Sequence, residues 1–252
     1  VMFLQRAALL AAAAATVLAS AAPALASDGD PDRNRIVGGK VSTEQYPYTG
    51  HLGGCGSTLI AAKWLVTAKH CVSSARQVRL GTNSANSGGE VIGIRRSVNG
   101  PGGKDIALLE LNSEARTAPI RIAPSHPTPG TRTRIMGWGS TTSDGSRPSN
   151  VLKELDTSVV DASNCARLPG GVEPADRDKE LCTQSPNNQG ACHGDSGGPQ
   201  ITQIDGTWYL IGATSRGAPR ACAVNSSPSI YMSVPAFIDW IRSTTGISSL
   251  GR

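Results

Sequence analysis

Glycine and proline interrupt this sequence so often that no long helix fits between them. There are 29 glycines and 16 prolines in 252 residues, so apolar patterning survives only in short runs, and short runs bounded by turn residues form strands. An all-β architecture is therefore expected. The stretches 57–60, 64–68, 77–80, 91–95 and 106–111 are expected to build one barrel. Pro119, Pro124, Pro127, Pro129 and Gly130 make 117–131 a connector, because neither a helix nor a central strand tolerates prolines at that density. Further strands at 133–138, 153–160, 207–214 and 229–233 predict a second barrel. At the end of the chain Val234, Phe237, Ile238 and Ile241 fall at helical spacing, with Ser233 able to cap and Pro235 in the first turn, so a helix is expected at about 233–244.

The first 26 residues have the pattern of a secretory leader: Arg6, an Ala/Leu-rich core, and Ala24-Leu25-Ala26 as a small-residue cleavage site. Ser20 and Pro23 interrupt the apolar run before it reaches the roughly 20 residues of a membrane span. The polar, acidic segment 27–35 lacks apolar periodicity and is expected to be a propeptide. A formal charge of +5 raises the possibility of a nucleic-acid partner, but the basic residues are scattered and form no phosphate-binding cluster, so neither nucleic acid nor membrane is expected as a partner. Six cysteines behind a leader imply three disulfides, and arithmetic alone leaves fifteen pairings. The histidines do not fall at zinc-site spacings, and the loop 81–90 lacks paired acidic residues, so no metal or other cofactor is expected.

Four blocks carry the chemistry. They are Arg35-Ile36-Val37-Gly38-Gly39, Thr67-Ala68-Lys69-His70-Cys71, Asp105-Ile106-Ala107-Leu108-Leu109 and Gly194-Asp195-Ser196-Gly197-Gly198-Pro199. Alone, the last would be a turn, since glycine supplies unusual dihedrals and serine bonds its own backbone there. Taken in order, and with Gly137-Trp138-Gly139 between the third and fourth, the four resemble the chymotrypsin-like serine proteases over nearly all of 36–252. The resemblance implies two six-stranded antiparallel Greek-key β-barrels, at about 36–120 and 130–232, a C-terminal helix, and a site in the cleft between the barrels.

By the same resemblance Ser196 is the nucleophile, His70 the base that takes its proton, and Asp105 the carboxylate that orients the imidazole, with Ser215 supporting Asp105. The backbone N–H groups of Gly194 and Ser196 are implied as the oxyanion hole, where one donor contributes roughly 3 to 4 kcal/mol in mutational tests. Asp195 is implied to pair with the amine of Ile36 once the bond after Arg35 is cut. The implied disulfides are Cys55 with Cys71, Cys165 with Cys182, and Cys192 with Cys222; the first, closing about sixteen residues, contributes roughly 3 kcal/mol in the loop-entropy model.

Trypsin-type members of the family carry an aspartate six residues before the nucleophile; Gly190 stands there, followed by Ala191, with Gly217 and Ser229 on the walls. An uncharged side chain before the scissile bond is therefore expected. The chain departs from the family pattern at Lys69, where a small residue is usual, and at Arg216, where an aromatic is usual; both are harmless if they point to the surface, whereas an Arg216 that lines the cleft would favour acidic or extended polar groups upstream of the bond. The implied activity is that of a secreted serine endopeptidase made as a zymogen. Its expected partners are protein or peptide substrates, an activating trypsin-like protease and protein inhibitors, and the chain is expected to be a monomer. A non-catalytic binding protein on the same scaffold is the alternative, since fold does not guarantee activity.

Overall fold

The computed structural model describes residues 36–218, 221–224 and 227–252; the expected leader (1–26) and propeptide (27–35) lie outside the described residues. After the short β1 (Lys40–Val41), six strands close a barrel: β2 (Thr49–His51), β3 (Gly56–Ala61), β4 (Trp64–Thr67), β5 (Gln77–Leu80), β6 (Glu90–Asn99) and β7 (Ala107–Leu111). Their order is β2-β3-β4-β7-β6-β5, with every pair antiparallel. β3 and β4 are buried along their whole length, the polar Ser57, Thr58 and Thr67 included.

The second half contains β8 (Arg121–Ile122), β9 (Arg132–Gly137), β10 (Lys153–Val160), β11 (Glu180–Thr183), β12 (Pro199–Ile204), β13 (Thr207–Arg216) and β14 (Ser229–Ser233). β10 pairs with both β9 and β11, and β12 with both β9 and β13, so six strands close a second antiparallel barrel in the order β9-β10-β11-β14-β13-β12. β8 adds two residues parallel to β13, the sole strand in the proline-rich connector. β1 precedes the first barrel in the chain yet pairs with β10 of the second, carrying the N-terminal segment across to the second barrel.

A 3₁₀ turn (Val234–Phe237) leads into α1 (Ile238–Thr245), which ends on Gly246 at φ 73°, a left-handed cap that glycine adopts freely. Val234, Phe237 and Ile241 are buried. Ser233 does not cap: its hydroxyl is 2.8 Å from His126 Nδ1 instead. Disulfides join Cys55 to Cys71, Cys165 to Cys182 and Cys192 to Cys222.

Candidate active site

His70 lies in a 3₁₀ turn (Lys69–Cys71) at the end of β4, tied down by the Cys55–Cys71 disulfide. Asp105 immediately precedes Ile106 and β7, the neighbour of β4. That pairing sets the two side by side: the His70 ring Nδ1 is 2.9 Å from Asp105 Oδ2, and the His70 backbone N–H donates to Oδ1 at 3.0 Å. Ser215, at the end of β13, donates its hydroxyl to Asp105 Oδ2 at 2.7 Å. Burial alone would raise the Asp105 pKa, but the hydrogen bonds from His70 and Ser215 outweigh it and hold the carboxyl below its ordinary range. The bond to Asp105 raises the His70 pKa against the opposing effect of burial. With Nδ1 turned to the carboxylate, Nε2 is the nitrogen left to act as a base.

The serine loop reaches this pair by docking on β3 and β4. Gly197, at φ 77°, sits against Thr67 and Ala68, with Ala68 N 2.9 Å from where a Cβ would stand, so a side chain there would hold the loop off the strand that delivers His70. Gly56 N–H donates to the Ser196 carbonyl at 2.7 Å. The Ser196 hydroxyl is not hydrogen-bonded to His70 among the described residues; such bonds commonly tighten only when substrate binds.

Within the loop, the N–H groups of Asp195, Gly197 and Gly198 are engaged by the carbonyls of Cys192, Thr214 and Asp195. Those of Gly194 and Ser196 have no acceptor among the described residues. Gly194 holds φ 96°, a backbone conformation that side chains resist. The loop thus offers two unengaged donors beside the hydroxyl, an arrangement suited to an anionic oxygen.

Asp195 is 1% exposed. Its carboxylate accepts from Gly139 N–H at 2.8 Å and from Cys192 N–H at 2.9 Å. Burial nevertheless pushes its pKa up to about 7, against those two bonds. The Gly137-Trp138-Gly139 motif is explained here: a Cβ at either glycine would fall inside contact distance of the Asp195 carboxylate. That packing role is not legible in the three-residue string itself. Ile36 is buried in the second barrel among Ile135, Leu155, Leu181 and Tyr231. Val37 bridges Gly190, whose N–H donates to the Val37 carbonyl at 2.9 Å.

A cavity of about 220 Å³ opens at Ser196 and is lined by Ala191, Thr214, Gly217, Ala223, Ser227 and Ser229 among others. No carboxylate lines it among the described residues. Gly190 is not part of this lining; a Cβ built there would stand 2.7 Å from Ser185 Oγ and 3.4 Å from the Cβ of Ala223, which does line it. Ser229 stands close to Gly217 in the lining, its Oγ 3.3 Å from the position of a Gly217 Cβ. Arg216 also lines the cavity, but its guanidinium is held by Glu180, with Nη1–Oε1 at 3.0 Å and Nη2–Oε2 at 2.9 Å. Arg216 therefore lines the cleft with its guanidinium paired to Glu180. Lys69 is exposed.

A family model described as Trypsin matches residues 36–241. The chain is 33% identical over 253 residues to anionic trypsin of Canis lupus familiaris, covering 92% of this chain and 98% of the relative. It is 32% identical over 230 residues to trypsin epsilon of Drosophila erecta, covering 83% and 87%. Among solved structures, mouse neuropsin, a serine protease expressed in the limbic system, superposes with a TM-score of 0.70 at 29% identity, covering 79% of this chain and 94% of that one.

Proposed function

Because the chain belongs to the trypsin family and is a serine endopeptidase, we propose that it is a secreted zymogen that cuts after uncharged residues, with Ser196, His70 and Asp105 as its triad. The observation that carries the assignment is the hydrogen-bonded line from Ser215 through Asp105 to His70, beside a serine loop with two unengaged N–H donors. In the reaction, Ser196 Oγ attacks the scissile carbonyl as His70 Nε2 takes its proton. The oxygen that becomes anionic is received by the Gly194 and Ser196 N–H groups, and His70 then gives the proton to the leaving amine. Water repeats the sequence on the acyl-enzyme to release the acid.

Neutrality of the cavity supports the substrate preference. An arginine or lysine entering it would lose hydration without meeting a carboxylate, whereas an apolar side chain gains from the transfer. Ser229 narrows the cavity, which favours leucine, methionine and phenylalanine, in that order, over tryptophan.

Activation follows from Asp195. While Ile36 is joined to Arg35, its nitrogen is an uncharged amide; cutting that bond supplies an ammonium for the buried carboxylate and orders the Gly194–Ser196 donors. Ile36 holds φ 51°, a left-handed conformation that β-branched residues resist and that cleavage releases. A cavity unable to neutralise arginine cannot select the bond after Arg35, so a separate trypsin-like protease performs the cut. Protein substrates and inhibitors share the same cleft, and the mature chain acts as a monomer in the extracellular medium. The residues described contain no helix long and apolar enough to cross a membrane.

The test is incubation of residues 27–252, alone and with a trace of trypsin later inhibited, followed by N-terminal sequencing and hydrolysis of chromogenic Leu, Met, Phe, Ala and Arg peptides. Leucine, methionine and phenylalanine peptides should be cleaved best, and only after trypsin treatment. Best cleavage of the arginine peptide, or an Ile36 terminus generated without trypsin in a Ser196-dependent manner, would refute the scheme.

A further inference from the structure

Arg216 occupies one wall of the cavity at Ser196, and its charge is fully committed elsewhere. Glu180, on β11, has a side chain only 4% exposed, and its carboxylate grips the guanidinium through both terminal nitrogens, at 3.0 and 2.9 Å. This two-pronged, charge-assisted geometry is the strongest that a guanidinium makes. Glu180 Oε2 also accepts the Asp176 N–H at 2.8 Å, which fixes the carboxylate itself. Nη2 faces the carbonyls of Glu173 and Pro174 at 3.3 and 3.4 Å, while Nε is buried and has no partner.

A second cation converges on the same place. Lys104, the residue before Asp105, lies 2.7 Å from Asp176 and 3.9 Å from Glu180. Lys104, Arg216, Asp176 and Glu180 therefore form a quartet of two cations and two anions with no net charge. It touches the cleft only through Arg216, whose Nη1 is also 3.5 Å from the Ser215 hydroxyl.

We propose that Glu180 is a specificity-determining residue that masks Arg216: its buried carboxylate keeps the guanidinium from pairing with acidic side chains of the substrate, so the wall formed by residues 215–217 accepts neutral residues ahead of the scissile bond. The proposal rests on the endopeptidase reading of the cleft. Loss of the carboxylate leaves the quartet with one uncompensated positive charge, and the flexible side chain that carries it already lines the cavity.

Two peptides that differ only by Glu or Gln at the positions two to four residues before the cleaved bond test it. Wild type and Arg216→Gln should cleave the pair within about twofold of each other, because a masked charge contributes little discrimination. Glu180→Gln should prefer the Glu peptides by on the order of tenfold, through KM and not kcat, and the preference should fade with added salt. It should vanish in Glu180→Gln/Arg216→Gln. A fold defect alone would lower kcat for both peptides and produce no salt-dependent acidic preference.

The same comparison made as binding to Ser196→Ala proteins, by fluorescence anisotropy of the two peptides, separates failure of this proposal from failure of the endopeptidase reading, since it requires no turnover. Folded Glu180→Gln without a gain for Glu peptides would overturn the proposal. Should Glu180→Gln not fold, a wild-type preference for Glu peptides that Arg216→Gln removes would do the same, because it would mean that the arginine is already available.

Discussion

Gly139 has no side chain because the Asp195 carboxylate occupies the space one would fill: both carboxylate oxygens crowd the position of a Gly139 Cβ, and Oδ1 accepts the Gly139 N–H at 2.8 Å. Gly139→Ala should push Asp195 out of its pocket and with it the adjoining Gly194 and Ser196 donors. Peptide hydrolysis should fall by on the order of a hundredfold, comparable to loss of one oxyanion donor, while circular dichroism still reports two β-barrels. Near-normal turnover in Gly139→Ala would disconnect Asp195 from the oxyanion loop.

Asp195 also predicts how the uncut chain responds to pH. Its folded pKa of about 7 lies above the ordinary carboxyl value near 3.9, so the folded state binds the proton more tightly than the unfolded one. The stability from that proton is fully present below about pH 4 and is lost as pH rises through about 7. The melting temperature of the precursor should fall over this window, and Asp195→Asn should flatten the profile. Under the proposed activation the Ile36 ammonium formed by cleavage would hold the carboxylate ionised, and activity should instead fall on the alkaline side as that amine loses its proton. Identical pH profiles for cut and uncut protein would contradict this.

With His70 as the proposed base, the acid limb of kcat/KM in the mature enzyme should report its titration, because it must be neutral to accept the serine proton. The Asp105 hydrogen bond raises the His70 pKa, so the limb should lie above the unperturbed histidine value of about 6.5. Asp105→Asn should lower turnover on the order of 10⁴-fold and displace the limb downward. A limb that stays in place in that variant would assign it to another group.

Much of this was legible in sequence because local chemistry carried it. The stretches 77–80, 153–160 and 229–233 coincide with β5, β10 and β14, since short apolar runs and flanking turn residues are local properties. β1, β2, β8, β11 and β12 lie outside the strands expected from sequence. β2 has only three residues, β11 reads Glu180-Leu181-Cys182-Thr183, whose charged and polar ends disguise a strand that is buried throughout, and β12 opens with Pro199 directly after the serine loop, where proline suggests a turn unless it heads the strand. Tertiary partners likewise overrode the local reading of Ser233, which bonds His126 from across the chain. The masking of Arg216 by Glu180 joins residues 36 positions apart and left no trace in spacing, whereas the His70 and Asp105 motifs were recognisable as short strings.

Ser229 and Gly217 both line the cavity, with 3.3 Å between the Ser229 Oγ and the position of a Gly217 Cβ. Ser229→Gly should widen it and improve cleavage after phenylalanine and tryptophan relative to leucine by about tenfold, the scale of one or two methylene-sized contacts in an apolar pocket. An unchanged ratio would mean that this wall does not limit the side chain bound.

The most direct test of the account is covalent. Protein bearing an Ile36 N-terminus is treated with a fluorophosphonate, digested and mapped by mass spectrometry, alongside the uncut precursor and His70→Ala. One equivalent of label on Ser196 in the cut wild type, with far slower labelling of the other two, is the predicted result. Label that is absent from Ser196, carried by another residue, or acquired equally fast by the uncut precursor would contradict it.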